Sequence, residues 1–591
     1  MKLKVNLSDM RKGLINIIRH DYKKESLLMF FPFMNLLFMH YYFYVNNFIE
    51  WTWLYSKVIN LCAITFDVSV MFLLCLLVVK RNMKLALLMI QVVTLAWAFV
   101  NVVYGRFFFQ YLPLSVIQET SGLGNSLVIN SILPEFHWYD SYFIFTSICF
   151  FLIYKKTTDR RIDIKVMVRL IVIPLMSVVI SIVAYSAYHF AHPRYRNNSD
   201  LYFFRIKELL YDSSCGGTPN LAHFQTGSLR VACFEIYDLL KTTNLTSEEK
   251  KEINDVATDY SLRTTHHPRN PEIRNVIFVL LESFLSEPIG LVVDGKEITP
   301  FLNQLKREEN VFYNGYMKSD IGCGESGDGQ FIYMNGILPL KTQMTIGQIK
   351  DKALPSLPKL LQKTWKNCRT EIYFPTSPNL WQQAHMNHVY GIDYSYSIED
   401  IKDGKDGDVD DEMIFDFVSK SLNKNDVPFF SLILSLSTHS PYDKYHGEDY
   451  LAGNKTLPVE YKNYLNTCHY TDSQLRKFFD TIKQKGLYHQ SLIVIASDHY
   501  AHVDMLKMQG KLSDRTPLFI VNGDIDKQSA WGKDFHQIDV FTTLLDILNI
   551  DSKWKGLGHT LLNPHYKSSV DATSYRVSEW IINGDYFPSR K

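Results

Sequence analysis

The chain has 591 residues, 47% of them hydrophobic and 14% aromatic, a length that excludes a single small domain and calls for two or more folded units. Its 62 basic and 61 acidic side chains leave a formal net charge of +1, without the basic surplus expected of a general nucleic-acid binder. A mean hydropathy of −0.08 suits a soluble protein, but it averages two unlike regions.

Before about residue 190 lie five apolar runs, at 26–45, 58–79, 85–104, 138–154 and 166–187. Most approach the roughly 20 residues that a helix needs to cross a bilayer core; the fourth is short and begins with Asp140. The first run continues into the set of spans, so no cleavable signal peptide is expected. Lys2, Lys4, Arg11, Lys12, Arg19, Lys23 and Lys24 precede the first run; Lys80, Arg81 and Lys84 follow the second; Lys155, Lys156, Arg160, Arg161 and Lys165 follow the fourth. The remaining connections carry little more than Lys57 and Arg106. The positive-inside rule then puts the N-terminus in the cytoplasm, and five spans leave the C-terminal part outside. Charge within the spans is sparse, essentially Asp67 and Asp140 with Arg169 near an end, which argues against a channel or transporter. The expected organisation is a five-helix transmembrane anchor at 1–190, a helical linker at 191–265 and an external domain at 266–591.

Within the linker, 201–210, 229–241 and 247–259 have helical character, interrupted by Cys215-Gly216-Gly217-Thr218-Pro219. From 273 onward, short β-branched runs at 275–281, 429–436, 491–496 and 517–521 read as buried strands. Helical segments at 357–364, 410–422, 463–485 and 538–548 lie between and after them. Continuous apolar strands separated by helices indicate an α/β domain with a mostly parallel sheet, in which functional groups collect just past the strands' C-terminal ends. Eight cysteines do not form a disulfide framework: three fall in the spans and five outside, none in a CxxC pair. The acidic stretch 402–412 lacks the glycine and glutamate spacing of a calcium loop and reads as a turn leading into a helix.

Three strand ends carry polar groups. Glu282-Ser283-Phe284 follows the first strand, Thr438-His439-Ser440-Pro441-Tyr442 the second, and Ser497-Asp498-His499-Tyr500 the third. A lone Glu or His in such a place is commonly a cap or a hydrogen-bonded structural group. Asp498 and His499 together offer an oxygen and a nitrogen at one point, and Glu282 adds a second carboxylate, a set suited to Mn²⁺, Zn²⁺ or Mg²⁺. The segment 320–335 is glycine-rich and then turns helix-like. Either it is a flexible loop, or Gly322, Gly324, Gly327 and Gly329 let the backbone approach an anion at a helix start. Ser326 sits at that junction, where a metal could activate its hydroxyl as a nucleophile.

These residues, in this order, resemble the lipoteichoic acid synthase-type phosphoglycerol transferases of the alkaline phosphatase/sulfatase superfamily. Two further stretches, 516–521 and 537–545, and the five-span anchor also match, so the resemblance covers nearly the whole chain. It implies an external sulfatase-like α/β domain and one divalent metal ion, Mn²⁺ foremost with Zn²⁺ or Mg²⁺ as alternatives, held by Glu282, Ser326, Asp498 and His499. Ser326 would take the place of the family's threonine nucleophile. His439 would contact the phosphate or leaving oxygen and could act as general acid. Trp381 occupies the place of a substrate-lining tryptophan; Gln383 replaces an expected arginine and Thr376 an expected acid, so the family's headgroup contacts are not reproduced. The implied activity is transfer of a phospho-headgroup, such as phosphoglycerol from phosphatidylglycerol, through a Ser326 ester to an envelope glycan or glycolipid. The implied location is the cell membrane, multi-pass, with the catalytic domain extracytoplasmic. Neither Cys323 nor Ser326 lies in the C/S-x-P-x-R motif of sulfatases. Phosphoethanolamine transfer is the nearest competing activity, although the cysteines suit it poorly; hydrolysis with water as acceptor and a metal-free scaffold are the other readings.

Overall fold

The computed structural model describes residues 23–46, 54–108, 111–114, 136–191, 202, 206, 209–210, 219–240, 244–265, 267, 270–322, 324–341, 343–349, 352–378, 380–402, 409–422, 427–443, 445–501, 514–525 and 535–588. The chain divides into two compact units, Met1–Leu114 with Ile132–Leu240, and Ser115–Ser131 with Lys241–Lys591. The boundary at 240/241 falls inside the segment read as a linker.

The first unit contains helices α1 (Lys23–Val45), α2 (Leu54–Val78), α3 (Met83–Phe108), α4 (Ser141–Tyr154), α5 (Ile164–Leu170) and α6 (Val172–Ala191). Among the described residues, four helical spans are long and apolar enough to cross a membrane: Lys24–Val45, Tyr55–Val78, Met83–Arg106 and Ile164–Ala191. The fourth apolar run forms the shorter helix Trp138–Tyr154; its 14-residue α4 rises only about 21 Å. The anchor therefore has four to five apolar helices. The last run is broken at Ile171, because Pro174 has no N–H to offer the preceding turn.

Polar groups inside this unit partner one another. Asn35 Nδ2 donates to Gln91 Oε1 and Thr94 Oγ1, each at 3.3 Å. Arg106 grips Asp140 with two bonds of 2.8 and 2.5 Å, joining α3 to the start of the fourth run. Two shorter helices, α7 (Pro219–Thr226) and α8 (Ser228–Leu240), pack alongside α2. Asn60 donates to the Phe224 carbonyl at 2.7 Å, and Asp67 accepts from Leu229 N at 3.2 Å. Gly227 makes the turn between them with φ +91, and a Cβ there would lie 2.5 Å from Asp67. The residues at 211–218, and most of 201–210, lie outside the described residues.

The second unit begins with α9 (Ser247–Thr258), whose Thr246–Glu249 capping box satisfies its first turn. Its main element is a seven-stranded sheet in the order β4-β9-β8-β1-β7-β5-β6. The strands are β1 (Asn275–Leu281), β4 (Val311–Met317), β5 (Arg369–Tyr373), β6 (Tyr394–Tyr396), β7 (Phe429–Leu434), β8 (Ser491–Ser497) and β9 (Thr516–Val521); β2 (Val292–Val293) and β3 (Lys296–Glu297) form a separate ribbon. Strands β8, β1, β7, β5 and β6 run parallel, while β9 lies antiparallel to both β8 and β4. Alternate residues of β1 feed two apolar layers: Val276, Phe278 and Leu280 on one face, Ile277, Val279 and Leu281 on the other. Burial on both faces is why the central strands read as unbroken apolar runs.

On one face lie α10 (Glu325–Asn335), α11 (Leu357–Thr364), α12 (Gln383–Tyr390), α15 (Gln537–Ile547) and α16 (Ala572–Asn583); on the other lie α13 (Asp411–Ser421) and α14 (Val459–Gln484). The acidic stretch 402–412 lies partly outside the described residues, but Asp410 caps α13 by accepting from Met413 N at 3.1 Å. The sheet has three strands beyond the four expected. β4 carries Asn314 and Gly315, β5 carries Arg369 and Glu371, and β6 is only three residues long. None of these presents a continuous apolar run.

Candidate active site

The neighbouring strands β8, β1 and β7 end side by side, and their next residues supply the site. Glu282 follows β1, Asp498 and His499 follow β8, and His439 lies in the turn after β7. The turn at Glu282 is braced from both sides: its N–H donates to Ser435 Oγ at 2.9 Å, and Thr438 Oγ1 donates to its carbonyl. Ser283, at φ +49, donates its amide to Asp498 Oδ1 at 2.9 Å and its hydroxyl to Glu282 Oε1 at 2.8 Å. His499 N donates to Asp498 Oδ1 at 2.7 Å. Strand ends and carboxylates are thereby locked together.

Ser326 enters from α10, in the helix's first turn. Its Oγ is 3.0 Å from Glu282 Oε2 and 3.2 Å from His499 Nε2. His499 Nε2 is also 3.4 Å from Glu282 Oε1 and 3.7 Å from Asp498 Oδ2. The imidazole is oriented by its other nitrogen, since Nδ1 donates to the Tyr500 carbonyl at 2.9 Å and Nε2 faces the cluster, where the neutral ring would present a lone pair to a metal.

The glycines serve packing more than anion binding. Gly322 N and Gly324 N both donate to Asp328 Oδ2 at 2.9 Å, so the expectation that these amides address an anion is not met. Asp328 is buried, which pushes its pKa up to about 7 against those amide bonds. Gly329 sets the distance between α10 and β8, because a Cβ there would lie 2.4 Å from the Asp498 carbonyl oxygen. Among the described residues, the Glu325 and Ser326 amides remain as donors at the helix start.

The electrostatics are strongly negative. Burial raises Asp498 well above the ordinary carboxylate range, and the neighbouring Glu282 charge adds to it. Burial also opposes ionisation of Glu282, but the hydrogen bond and charge of His499, with the charge of His439, outweigh it and hold Glu282 low. Burial opposes the charged form of His499, yet Asp498, Glu282 and Glu325 raise it well above its usual value. Glu325, next to Ser326, places Oε2 3.7 Å from His499 Nδ1; burial pushes this carboxyl up to about 7. Sequence reasoning did not single out Glu325, although it adjoins the expected nucleophile.

A divalent metal fits this donor set. Glu282, Asp498 and His499 are buried, and each offers one ligand atom within 4.8 Å of the others. Donors about 2.0–2.2 Å from one ion in a tetrahedron would sit roughly 3.3–3.6 Å from one another, close to the separations seen among Ser326, Glu282, Asp498 and His499. Without an ion this close set relies on protons held by Asp498 and His499, whose affinities are both raised, and a cation in their place would satisfy all four groups.

The other expected residues are placed differently. His439 is partly buried, with Nδ1 2.5 Å from the Ser440 carbonyl, and its charge reaches Glu282. Gln383 is buried in an amide cluster, donating to Gln330 Oε1 at 2.9 Å and Asn387 Oδ1 at 2.8 Å. Those bonds occupy its donor group. Trp381 belongs to the single turn Leu380–Gln382; its side chain lies outside the described residues, as does Cys323. The described cysteines, Cys62, Cys75, Cys149, Cys233, Cys368 and Cys468, are free thiols.

Comparison with known proteins places this architecture. A family model described as Sulfatase matches residues 274–550, which takes in β1, α10, β7, β8 and β9. Lipoteichoic acid synthase 2 of Bacillus subtilis is 26% identical over 549 residues, covering 87% of this chain and 80% of that protein. The lipoteichoic acid synthase of Staphylococcus aureus is 25% identical over 489 residues, covering 77% and 71%. Residues 274–550 thus form a Sulfatase-type domain, and the chain is similar over most of its length to lipoteichoic acid synthases. Its enzyme class is that of a membrane phosphotransferase. The fold of the whole chain is similar to that of the integral membrane protein lipooligosaccharide phosphoethanolamine transferase A (EptA) from Neisseria meningitidis, with TM-score 0.53, 14% identity, and coverage of 89% of this chain and 95% of that one. This sulfatase-like phosphotransferase thus joins apolar N-terminal helices to a domain built on a mostly parallel sheet.

Proposed function

We propose that the enzyme transfers a phospho-headgroup from a membrane phospholipid, phosphatidylglycerol in the leading reading, to a hydroxyl of an envelope glycan or glycolipid. The N-terminus is cytoplasmic and the catalytic unit extracytoplasmic, consistent with the basic residues before the first apolar run and after the second and fourth. The observation that carries the chemistry is the convergence of Ser326 Oγ on Glu282 and His499 Nε2 at 3.0 and 3.2 Å.

A divalent cation, Mn²⁺ foremost, held by Glu282, Asp498, His499 and Ser326, would supply positive charge that favours the ionised serine and offsets charge on the phosphate. Ser326 Oγ attacks phosphorus, the bond from phosphorus to the diacylglycerol oxygen breaks, and a Ser326 phosphodiester forms. His439, held through Nδ1 at the Ser440 carbonyl, gives a proton to the departing diacylglycerol oxygen. In the second step the acceptor hydroxyl oxygen attacks phosphorus, passes its proton to His439, and Ser326 leaves. The Glu325 and Ser326 amides at the start of α10 face the transferred group with the helix's positive end. Trp381 keeps the substrate-contacting role that the family resemblance implies; Gln383, neutral and engaged with Gln330 and Asn387, adds no cation for the headgroup.

One observation favours a second reading. The Glu325 carboxylate beside the nucleophile, with no arginine at position 383, suits a headgroup carrying an ammonium, as in phosphoethanolamine transfer. Incubation with phosphatidylglycerol and phosphatidylethanolamine separately, followed by mass spectrometry of the Ser326 peptide, decides between them. Glycerophosphate on Ser326 supports the leading reading and phosphoethanolamine the second. Ser326→Ala should abolish both adducts and turnover while the protein stays folded; full activity in that variant would sink the assignment. Labelled headgroup recovered free instead of on a glycan would identify water as the acceptor.

A further inference from the structure

We infer that Gln537, the first residue of α15, is a positioning residue that sets the metal-binding end of β8 in register with the segment leading to Ser326. The inference rests on the reading of Asp498 and His499 as metal ligands. Gln537 is fully buried. Its Nε2 donates to the Asp498 carbonyl at 2.6 Å and lies 3.3 Å from the Ser497 carbonyl. Its Oε1 accepts from Asp320 N at 2.8 Å and from Ser319 Oγ at 3.1 Å. Its own N–H donates to the Lys318 carbonyl at 3.2 Å.

The Asp498 carbonyl belongs to the peptide that joins Asp498 to His499. The N–H of that peptide is held by Asp498 Oδ1 at 2.7 Å, and its oxygen faces Gly329 of α10, where a Cβ would come within 2.4 Å. Gln537 completes the clamp, so the plane linking the two ligands cannot rotate without breaking a buried bond. Through Oε1, the same side chain fixes residues 319–320, which lead directly into the glycine-rich turn before Ser326. An amide is the side chain the geometry requires, since one end must donate to a carbonyl while the other accepts from an amide. A carboxylate would oppose the Asp498 oxygen, and an aliphatic chain would leave buried groups unpaired on both sides.

The test uses the full-length protein in detergent, with Mn²⁺ and Zn²⁺ affinity measured by calorimetry beside kcat, KM and Tm. Gln537→Glu and Gln537→Leu should each weaken metal binding about 10–100-fold, the range for groups that orient metal ligands, and should lower kcat while donor KM changes little. Asn522→Asp is the structural control. Asn522 donates to the Tyr488 and Ser491 carbonyls at 2.7 and 2.9 Å, at the opposite end of β8, and its replacement should lower Tm yet leave metal affinity at the wild-type value. Gln537 variants with wild-type metal affinity and kcat, or with losses no greater than those of Asn522→Asp at matched Tm, would overturn the inference. So would failure of both Gln537 variants to fold while Gln537→Asn folds and binds metal normally. A wild-type protein that binds neither metal would overturn the ligand reading itself, and this inference with it.

Discussion

Both units bury polar side chains, and they treat them in opposite ways. In the membrane unit, donors meet acceptors in pairs, Arg106 with Asp140 and Asn35 Nδ2 with Gln91 and Thr94, while Asn35 Oδ1 and Gln91 Nε2 stay buried without a partner among the described residues. In the catalytic unit, Glu282, Asp498, His499 and Ser326 crowd two carboxylates, an imidazole and a hydroxyl around one buried point. Apolar surroundings tolerate a satisfied pair and penalise a surplus of like groups. Burial alone therefore does not mark function; an unbalanced convergence of donors and acceptors does.

That contrast can be broken most sharply at the site. Asp498→Asn and His499→Gln should each lower headgroup transfer by about 10³-fold or more and abolish stoichiometric metal binding, read by elemental analysis of the purified protein. Substitutions that leave both quantities unchanged would make the convergence a structural accident. In the membrane unit, the same approach should give a different pattern. Arg106→Met alone leaves the partly buried Asp140 carboxylate without its cation and should cost about 1–3 kcal/mol, while Arg106→Met with Asp140→Leu should recover most of that loss. Thermal unfolding in detergent measures both. If the double variant stays as unstable as the single, the membrane pair does more than hold helices together. No apolar pair should restore the catalytic site.

An effect no larger is expected from glycines on the catalytic side. Gly329→Ala drives a Cβ toward the Asp498 carbonyl oxygen, an overpacking expected to cost about 1–3 kcal/mol and to reduce kcat by displacing that carbonyl. Gly347, in the helix Thr345–Ile349, has nothing within 4 Å of the corresponding position. Gly347→Ala should therefore be neutral or stabilise by about 0.4–1 kcal/mol. Equal effects at the two positions, measured by Tm and kcat together, would remove the argument that Gly329 is set by the site.

Much of this was legible in the sequence because the signals were local. β1, β7 and β8 are apolar runs, and Glu282, His439, Asp498 and His499 stand just past them. Ser326 stands out among closely spaced glycines. The remainder depends on partners far apart in the chain. Gln537 acts on Asp498 and Asp320, and neither bond leaves a trace in the spacing of α15. The glycines of 322–329 suggested an anion cradle, but the amides of Gly322 and Gly324 go to Asp328, and Gly329 answers to β8. Strands β4, β5 and β6, towards the two edges of the sheet, were hidden by their polar residues. The division at 240/241 was hidden because α7 and α8 look like ordinary amphipathic helices until Asn60 and Asp67 are seen to hold them.

The smallest effect distinguishes the catalytic unit's satisfied pairs from its site. His536 Nδ1 lies 2.5 Å from Asp320 Oδ1, both largely buried. Burial disfavours the imidazolium, but the hydrogen bond and charge of Asp320, with the charge of Asp539, outweigh it and raise His536 above its usual 6.5. Burial likewise raises Asp320, against the pull of His536. Both folded groups bind protons more tightly than their unfolded counterparts. The His536 contribution is therefore complete below about pH 6.5 and is lost as pH rises through the folded value; the Asp320 contribution begins to fall from a lower pH, with the same sign. For one proton the slope cannot exceed about 1.4 kcal/mol per pH unit. Denaturation of the full-length protein between pH 6 and 9 should show stability falling as pH rises, and His536→Gln should flatten that fall. Because His536 adjoins Gln537 without belonging to the proposed metal-ligand set, its substitution should move the stability profile more than metal affinity. A variant that moves metal affinity just as far would show that the pair and the site form one coupled unit.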